Sequence, residues 1–216
     1  MTIRYNYGFP GEVEMNSRNV CLSFILLLAI IQASCASSNN REEEAAIEKE
    51  EAAVIRAYVD SHLEKLFWEV KHTGKPLRTI YVESVTATME RDWHKSISKL
   101  SPAPASDTVN SFLSRNDGKY AVNSRLEFSL PHRIIPEATI QKILEQKHSR
   151  SVFHREYPDW GGFIWLSRAG FNMKMTQALL YICFTPGSDD GEGDLILMQK
   201  DSGIWREVAS DMLWIE

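Results

Sequence analysis

What the 216-residue chain has little of narrows it first. It has three cysteines, Cys21, Cys35 and Cys183, and two of them lie in or beside one apolar run, which excludes a disulfide framework. It has no excess of base: the net charge is −5, and no cluster of Lys and Arg supplies the footprint a nucleic-acid partner requires. It has no apolar stretch near the roughly 20 residues that a membrane-crossing helix needs, because the run from Val20 to Ile31 is only 12 residues long. It has no Gly-x-Ser-x-Gly elbow, no His-Glu-x-x-His helix and no phosphate-cradling glycine loop. The six histidines show no metal-ligand spacing, so no metal and no cofactor is implied.

What is present begins with that short run. Twelve residues suit the apolar region of a secretory signal peptide, with Arg18 as the positive flank and Ala33, Ser34, Ala36 and Ser37 as the small residues around a cleavage site. Met1 to Glu14 carries Pro10, Glu12 and Glu14 and does not suit the start of such a signal, whereas Met15-Asn16-Ser17-Arg18 does. Residues 1–35 are therefore expected to be an export signal, with Met15 a candidate true start. A buried core helix and an uncleaved anchor are the other readings of the run. Ile31-Gln32-Ala33-Ser34-Cys35 resembles the lipobox of bacterial lipoproteins, which implies acylation of Cys35 and a lipid anchor in the cell envelope. Gln32 departs from the aliphatic residue usual there, and this leaves plain secretion with cleavage near Ala36 open.

Beyond the signal, residues 36–51 read as a tether and an acidic helix start, with six acids against two bases from Arg41 to Glu51 and a solvated face expected. Residues 52–216 carry a net charge of only −1 and read as a single domain. Its helix continues from the acidic run to Trp68, with Val54, Ile55, Tyr58, Val59, Leu63 and Leu66 at helical spacing. A strand is expected over Leu77 to Thr88, a short helix from Ser106 or Asp107 through Leu113, an alternating strand at Leu126, Phe128 and Leu130, and a helix opening at Pro136. Strands are then expected over Gly162 to Asn172, Gln177 to Thr185, Asp194 to Lys200, Ile204 to Val208 and Met212 to Ile215. The short breaks between them predict an antiparallel meander. Ala178, Leu180, Ile182 and Phe184 face one way and Leu179, Tyr181 and Cys183 the other, so that strand is central and covered on both sides, with Cys183 an inert core thiol. The fold class is α+β, an antiparallel sheet packed with N-terminal and intermediate helices.

Within the last third of the chain, Tyr157-Pro158, Leu166-Ser167-Arg168-Ala169-Gly170-Phe171-Asn172, Gln177-Ala178-Leu179-Leu180-Tyr181 and Gly203-Ile204-Trp205 form a pattern. It resembles a group of uncharacterised bacterial exported proteins. The resemblance implies a shared fold and carries no assigned reaction. The helix-then-sheet order and the terminal Trp hairpin also look distantly like the NTF2-like cone folds, an analogy of fold alone.

Three functional readings follow. The first is a non-catalytic envelope lipoprotein that binds a protein partner or small ligand. Arg168 and Asn172 are its candidate ligand contacts: Arg168 is expected on an apolar strand, reaching a carboxylate across the sheet, and Gly170 at a bulge or a close backbone approach. The second is a hydrolase-like enzyme using His154 with Glu156 or Asp159, since on a strand His154 and Glu156 would share a side. The third is an inhibitor of a secreted enzyme, acting through the loop Pro186 to Asp194. That loop is rich in glycine and carboxylates, a composition calcium would tolerate, but it lacks EF-hand spacing.

Overall fold

The structure is a computed structural model, and it describes residues 41–63, 79–87, 93–146, 149–158, 160–185 and 191–215. The expected export signal at 1–35, the expected tether at 36–40, the expected helix break at Thr73 to Pro76, Asp159 and residues 186–190 lie outside the described residues. The chain divides into two units, Met1–Ala46 and Ile47–Glu216. Of the first, residues 41–46 are described and are helical. The second contains the expected domain at 52–216 together with residues 47–51.

Its first element, α1 (residues 47–63), is helical because apolar residues recur at three- and four-residue spacing. Val54, Ile55, Tyr58 and Val59 are all buried. There follow β1 (Thr79–Glu83), α2 (Trp93–Ile97), α3 (Ser106–Arg115), β2 (His132–Ile135), α4 (Glu137–Leu144), α5 (Ser149–Glu156), β3 (Trp160–Leu166), β4 (Gly170–Phe171), β5 (Gln177–Thr185), β6 (Glu192–Asp201) and β7 (Ile204–Ile215). The strands form one seven-stranded sheet in the order β2-β1-β3-β5-β6-β7, with β4 also on β5. The fold is α+β. From β3 onward the pairing is antiparallel, as the short connections require. The sheet as a whole is mixed, because β1 runs parallel to both β2 and β3.

The period-2 split along β5 sorts the core into two faces. Ala178, Leu180, Ile182 and Phe184 pack with Val54, Ile55, Tyr58 and Val59 of α1. Leu179, Tyr181 and Cys183 pack with Trp93, Ile97 and Phe112 of α2 and α3. Farther along that second face, Tyr81 and Phe163 meet Ile140 and Ile143 of α4 and Val152 and Phe153 of α5. Helices on both faces explain why β5 is apolar on both sides and why the Cys183 thiol is buried.

Four local expectations are corrected. Leu126 and Phe128 are buried, but their segment is irregular chain that rests on the core and is not a strand. The two strands expected at Ile204 to Val208 and Met212 to Ile215 are one strand, β7, whose register against β6 shifts between Leu197 and Met198 and again between Gly193 and Asp194. Such bulges absorb the residues that break a strict alternation. The strand expected across Gly162 to Asn172 ends at Leu166 and resumes at Gly170, so Arg168 is not on a strand. Finally, His154 and Glu156 lie in helix α5 and not on a strand, so the strand alternation on which their expected pairing rests does not apply.

Candidate functional site

The break between β3 and β4 is held by side chains and backbone from β5 and the end of α3. Ser167 N–H donates to the Tyr181 carbonyl (2.9 Å) and Ser167 Oγ accepts from Tyr181 N–H (2.8 Å), so the chain stays tied to β5 as it leaves the ladder. The buried Asn116 then clamps Arg168 by both backbone groups: its Oδ1 accepts from Arg168 N–H (2.8 Å) and its Nδ2 donates to the Arg168 carbonyl (2.9 Å). Gly170 is explained by close approach. A Cβ there would stand 2.1 Å from the Phe112 backbone nitrogen, so α3 lies directly on the glycine.

This clamp aims the Arg168 side chain at a carboxylate that is not across the sheet but on the helix above it. Glu51, with its side chain 3% exposed, is the hub. Its Oε1 accepts from the Ala169 backbone N–H (2.8 Å) and from Arg115 (3.3 Å), and it lies 3.5 Å from Arg168 Nε. Its Oε2 accepts from Asn123 Nδ2 (3.3 Å). A buried carboxylate is tolerated only when paired and hydrogen-bonded, and two arginines, an amide and a backbone N–H do both here. Glu48 and Glu50 are likewise engaged. Glu48 pairs with Arg125 (3.7 Å), while Glu50 accepts from Lys200 and from the Trp205 indole, both at 2.6 Å. The acidic run is therefore not a solvated face at its C-terminal end.

Beside Glu51 opens a cavity of about 400 Å³, bounded by Glu48, Glu51 and Ile55 of α1, by residues 120–124 and by residues 166–168. Arg168 is 19% exposed along its side chain, and its guanidinium lies 5.8 Å from the Tyr120 ring centroid. The Tyr120 phenol donates to Asp117, and that bond holds it above its ordinary pKa. Ile55, Leu126 and Leu166 supply an apolar wall, while Asn123, Ser124 and Ser167 supply polar atoms. Arg168 is the arginine of that lining; Glu51 and Glu48 line it too, but each is paired with a further arginine that does not, Arg115 and Arg125, so these five side chains sum to +1, which favours an anionic group.

Arg168 thus lies in the cavity, and Asn172 does not. Asn172 builds the turn before β5, accepting at Oδ1 from Thr176 N–H (2.8 Å) and Gln177 N–H (3.1 Å) and donating through Nδ2 to Thr176 Oγ1. Of the proposed hydrolytic group, Glu156 is exposed and pairs with its neighbour Arg155. A histidine–carboxylate pair does occur elsewhere: His62 Nε2 lies 3.0 Å from Glu207 Oε2. Its neighbour Ser61 has its Oγ 2.9 Å from His62 Nδ1 but donates its hydroxyl to the Tyr58 carbonyl, which Nδ1 also faces at 3.0 Å, so the serine proton is directed at that carbonyl rather than at the ring. Burial first, and then Asp194, Glu207 and Glu192, hold the nearby Tyr58 phenol far above its ordinary pKa and therefore neutral. Of the acidic loop, Asp194 is buried within β6, and among the described residues no three His, Cys, Asp or Glu side chains gather as a metal site.

Glu51, Asn116 and Tyr120 are the site residues that sequence reasoning passed over. A signal for Glu51 existed: Ile47, Glu51, Ile55 and Tyr58 fall at successive four- and three-residue steps, which places the glutamate on the apolar stripe of α1. No family model, no curated protein and no solved structure matches the chain.

Proposed function

We propose that the domain is a non-catalytic binding module of an exported lipoprotein, which takes a small organic anion in the cavity over Arg168. The observation that carries the reading is the preorganised arginine. Its backbone is clamped by Asn116 and its Nε is oriented by a buried glutamate, and the side chain still borders a cavity with an apolar wall. Binding sites combine an apolar lining with a few fixed polar groups, because a group already held in place costs little entropy when the ligand arrives. The export signal and an acylated Cys35 would carry the module to the membrane surface, in keeping with the resemblance of its C-terminal third to exported proteins.

Calorimetric titration with a panel of small carboxylates of increasing apolar length tests the site. Arg168→Lys keeps the charge but loses the planar fork, and is expected to weaken binding about tenfold or more with the fold retained. Equal affinity in this variant, or no binding by any member of the panel, would count against the reading. The anchor is tested separately by mass spectrometry of the mature N-terminus, where any first residue other than an acylated Cys35 removes it.

A further inference from the structure

On the opposite face of the sheet lies a second cavity, of about 200 Å³, in which a buried carboxyl rather than an arginine is the central charged group. Leu166 faces the Arg168 cavity while its neighbour Trp165 faces this one, as alternate strand residues must. Its deepest charged group is Glu83, the last residue of β1, which is 5% exposed among residues otherwise buried for their apolar surface. Trp165 and Tyr181 line the same space. Every charged or titratable side chain bordering it can be named. Glu137, at the start of α4, repels Glu83; Lys119 attracts it but is engaged with Glu137; Tyr181 and Cys183 come from β5. The Trp165 indole hydrogen-bonds the Glu83 carboxyl.

We propose that this cavity binds a small organic ammonium ion, with the Glu83 carboxylate as its counter-charge and the Trp165 indole as one wall. An aromatic face beside a carboxylate suits a weakly hydrated ammonium, which gains from the ring as well as from the charge. A divalent metal ion is poorly served, because it wants six or more oxygens and one of the two carboxylates here is already held by a lysine. An anion would meet Glu83. The volume falls below the roughly 300–1,000 Å³ of sites for drug-sized ligands, so the cation is a small one. Burial, reinforced by Glu137, raises the Glu83 pKa from 4.5 to about 7. The ammonium ion therefore competes with a proton, and its binding near neutral pH releases part of one.

The test is calorimetry on the full mature chain with tetramethylammonium chloride and butylammonium chloride as probes and sodium chloride as the control. Binding is expected at pH 8 and about tenfold weaker at pH 6, following the ionised fraction of Glu83. At pH 7 the heats should differ between two buffers of unlike ionisation enthalpy, reporting the released proton. Glu83→Gln keeps the shape and the acceptor for Trp165, so it should fold, as circular dichroism will show, and bind neither probe. Trp165→Phe should retain binding of tetramethylammonium at reduced affinity. Absence of binding at pH 8 overturns the proposal, as does affinity that is independent of pH or unchanged in Glu83→Gln.

Discussion

Two glutamates at the edge of the core behave in opposite ways. Glu51 is buried with its charge satisfied by Arg115, Arg168, Asn123 and the Ala169 N–H. Glu51→Ala would leave two arginines facing an empty acceptor, and removing one partner of a buried pair costs about 3–5 kcal/mol, readable as a shift of the urea midpoint. Glu83 is buried with repulsion outweighing attraction, and its pKa rises to about 7. Between pH 4.5 and 7 the native state keeps a proton that the unfolded chain has lost. This contribution to stability is thus fully present below about pH 4.5 and lost as pH rises through 7. Glu83→Gln is expected to melt higher than the parent at pH 8 and to narrow that difference at pH 5, as thermal unfolding at the two values would report.

At the scale of elements, contact between α3 and β4 is what makes the Ser-Arg-Ala-Gly-Phe motif necessary. With the helix backbone resting on Gly170, even a methyl group has no room, and the obstacle is main chain, which cannot rotate aside. Gly170→Ala should cost about 1–3 kcal/mol of stability by overpacking, measured by denaturant titration, and should displace α3 together with Asn116 just beyond its end. Elements with an unbroken period are legible, among them the helices at Ser106–Arg115 and Glu137–Leu144 as well as β5. β5 runs over the expected residues because its alternation is unbroken, and β7 was divided in two because bulges disturb the period that pattern reading depends on. The helix at Ser149–Glu156 was hidden for a different reason. Its amphipathic signal is two residues, Val152 and Phe153, adjacent in sequence and flanked by polar neighbours, which fits a turn of helix or a strand equally.

For the molecule as a whole, charge composition separates residues 47–51 from a domain with which they form ion pairs. A count of acids assigns residues 47–51 to a tether, whereas Glu48, Glu50 and Glu51 each meet a basic partner from elsewhere in the domain. A fragment of residues 52–216 is therefore expected to unfold at a denaturant concentration well below that for residues 47–216, although it loses only five residues. Equal midpoints would show that the helix start adds nothing to the domain.

By itself the sequence determined the class of fold, the two-faced central strand, the buried thiol at Cys183 and the expectation of export through Cys35. These rest on periodicity and on short contiguous signals, and such information is local. It also singled out Arg168, because an arginine inside an apolar run demands a partner. Only the tertiary structure decided which partner that is. Glu51 lies more than a hundred residues away in the chain, and its burial follows from α1 lying across the sheet. The two cavities are decisions of the same kind. Residues 120–124 and 166–168, or β1, β3 and β5, come together only when the sheet has formed, and the partners of Glu51 and the desolvation that holds the proton on Glu83 exist only then.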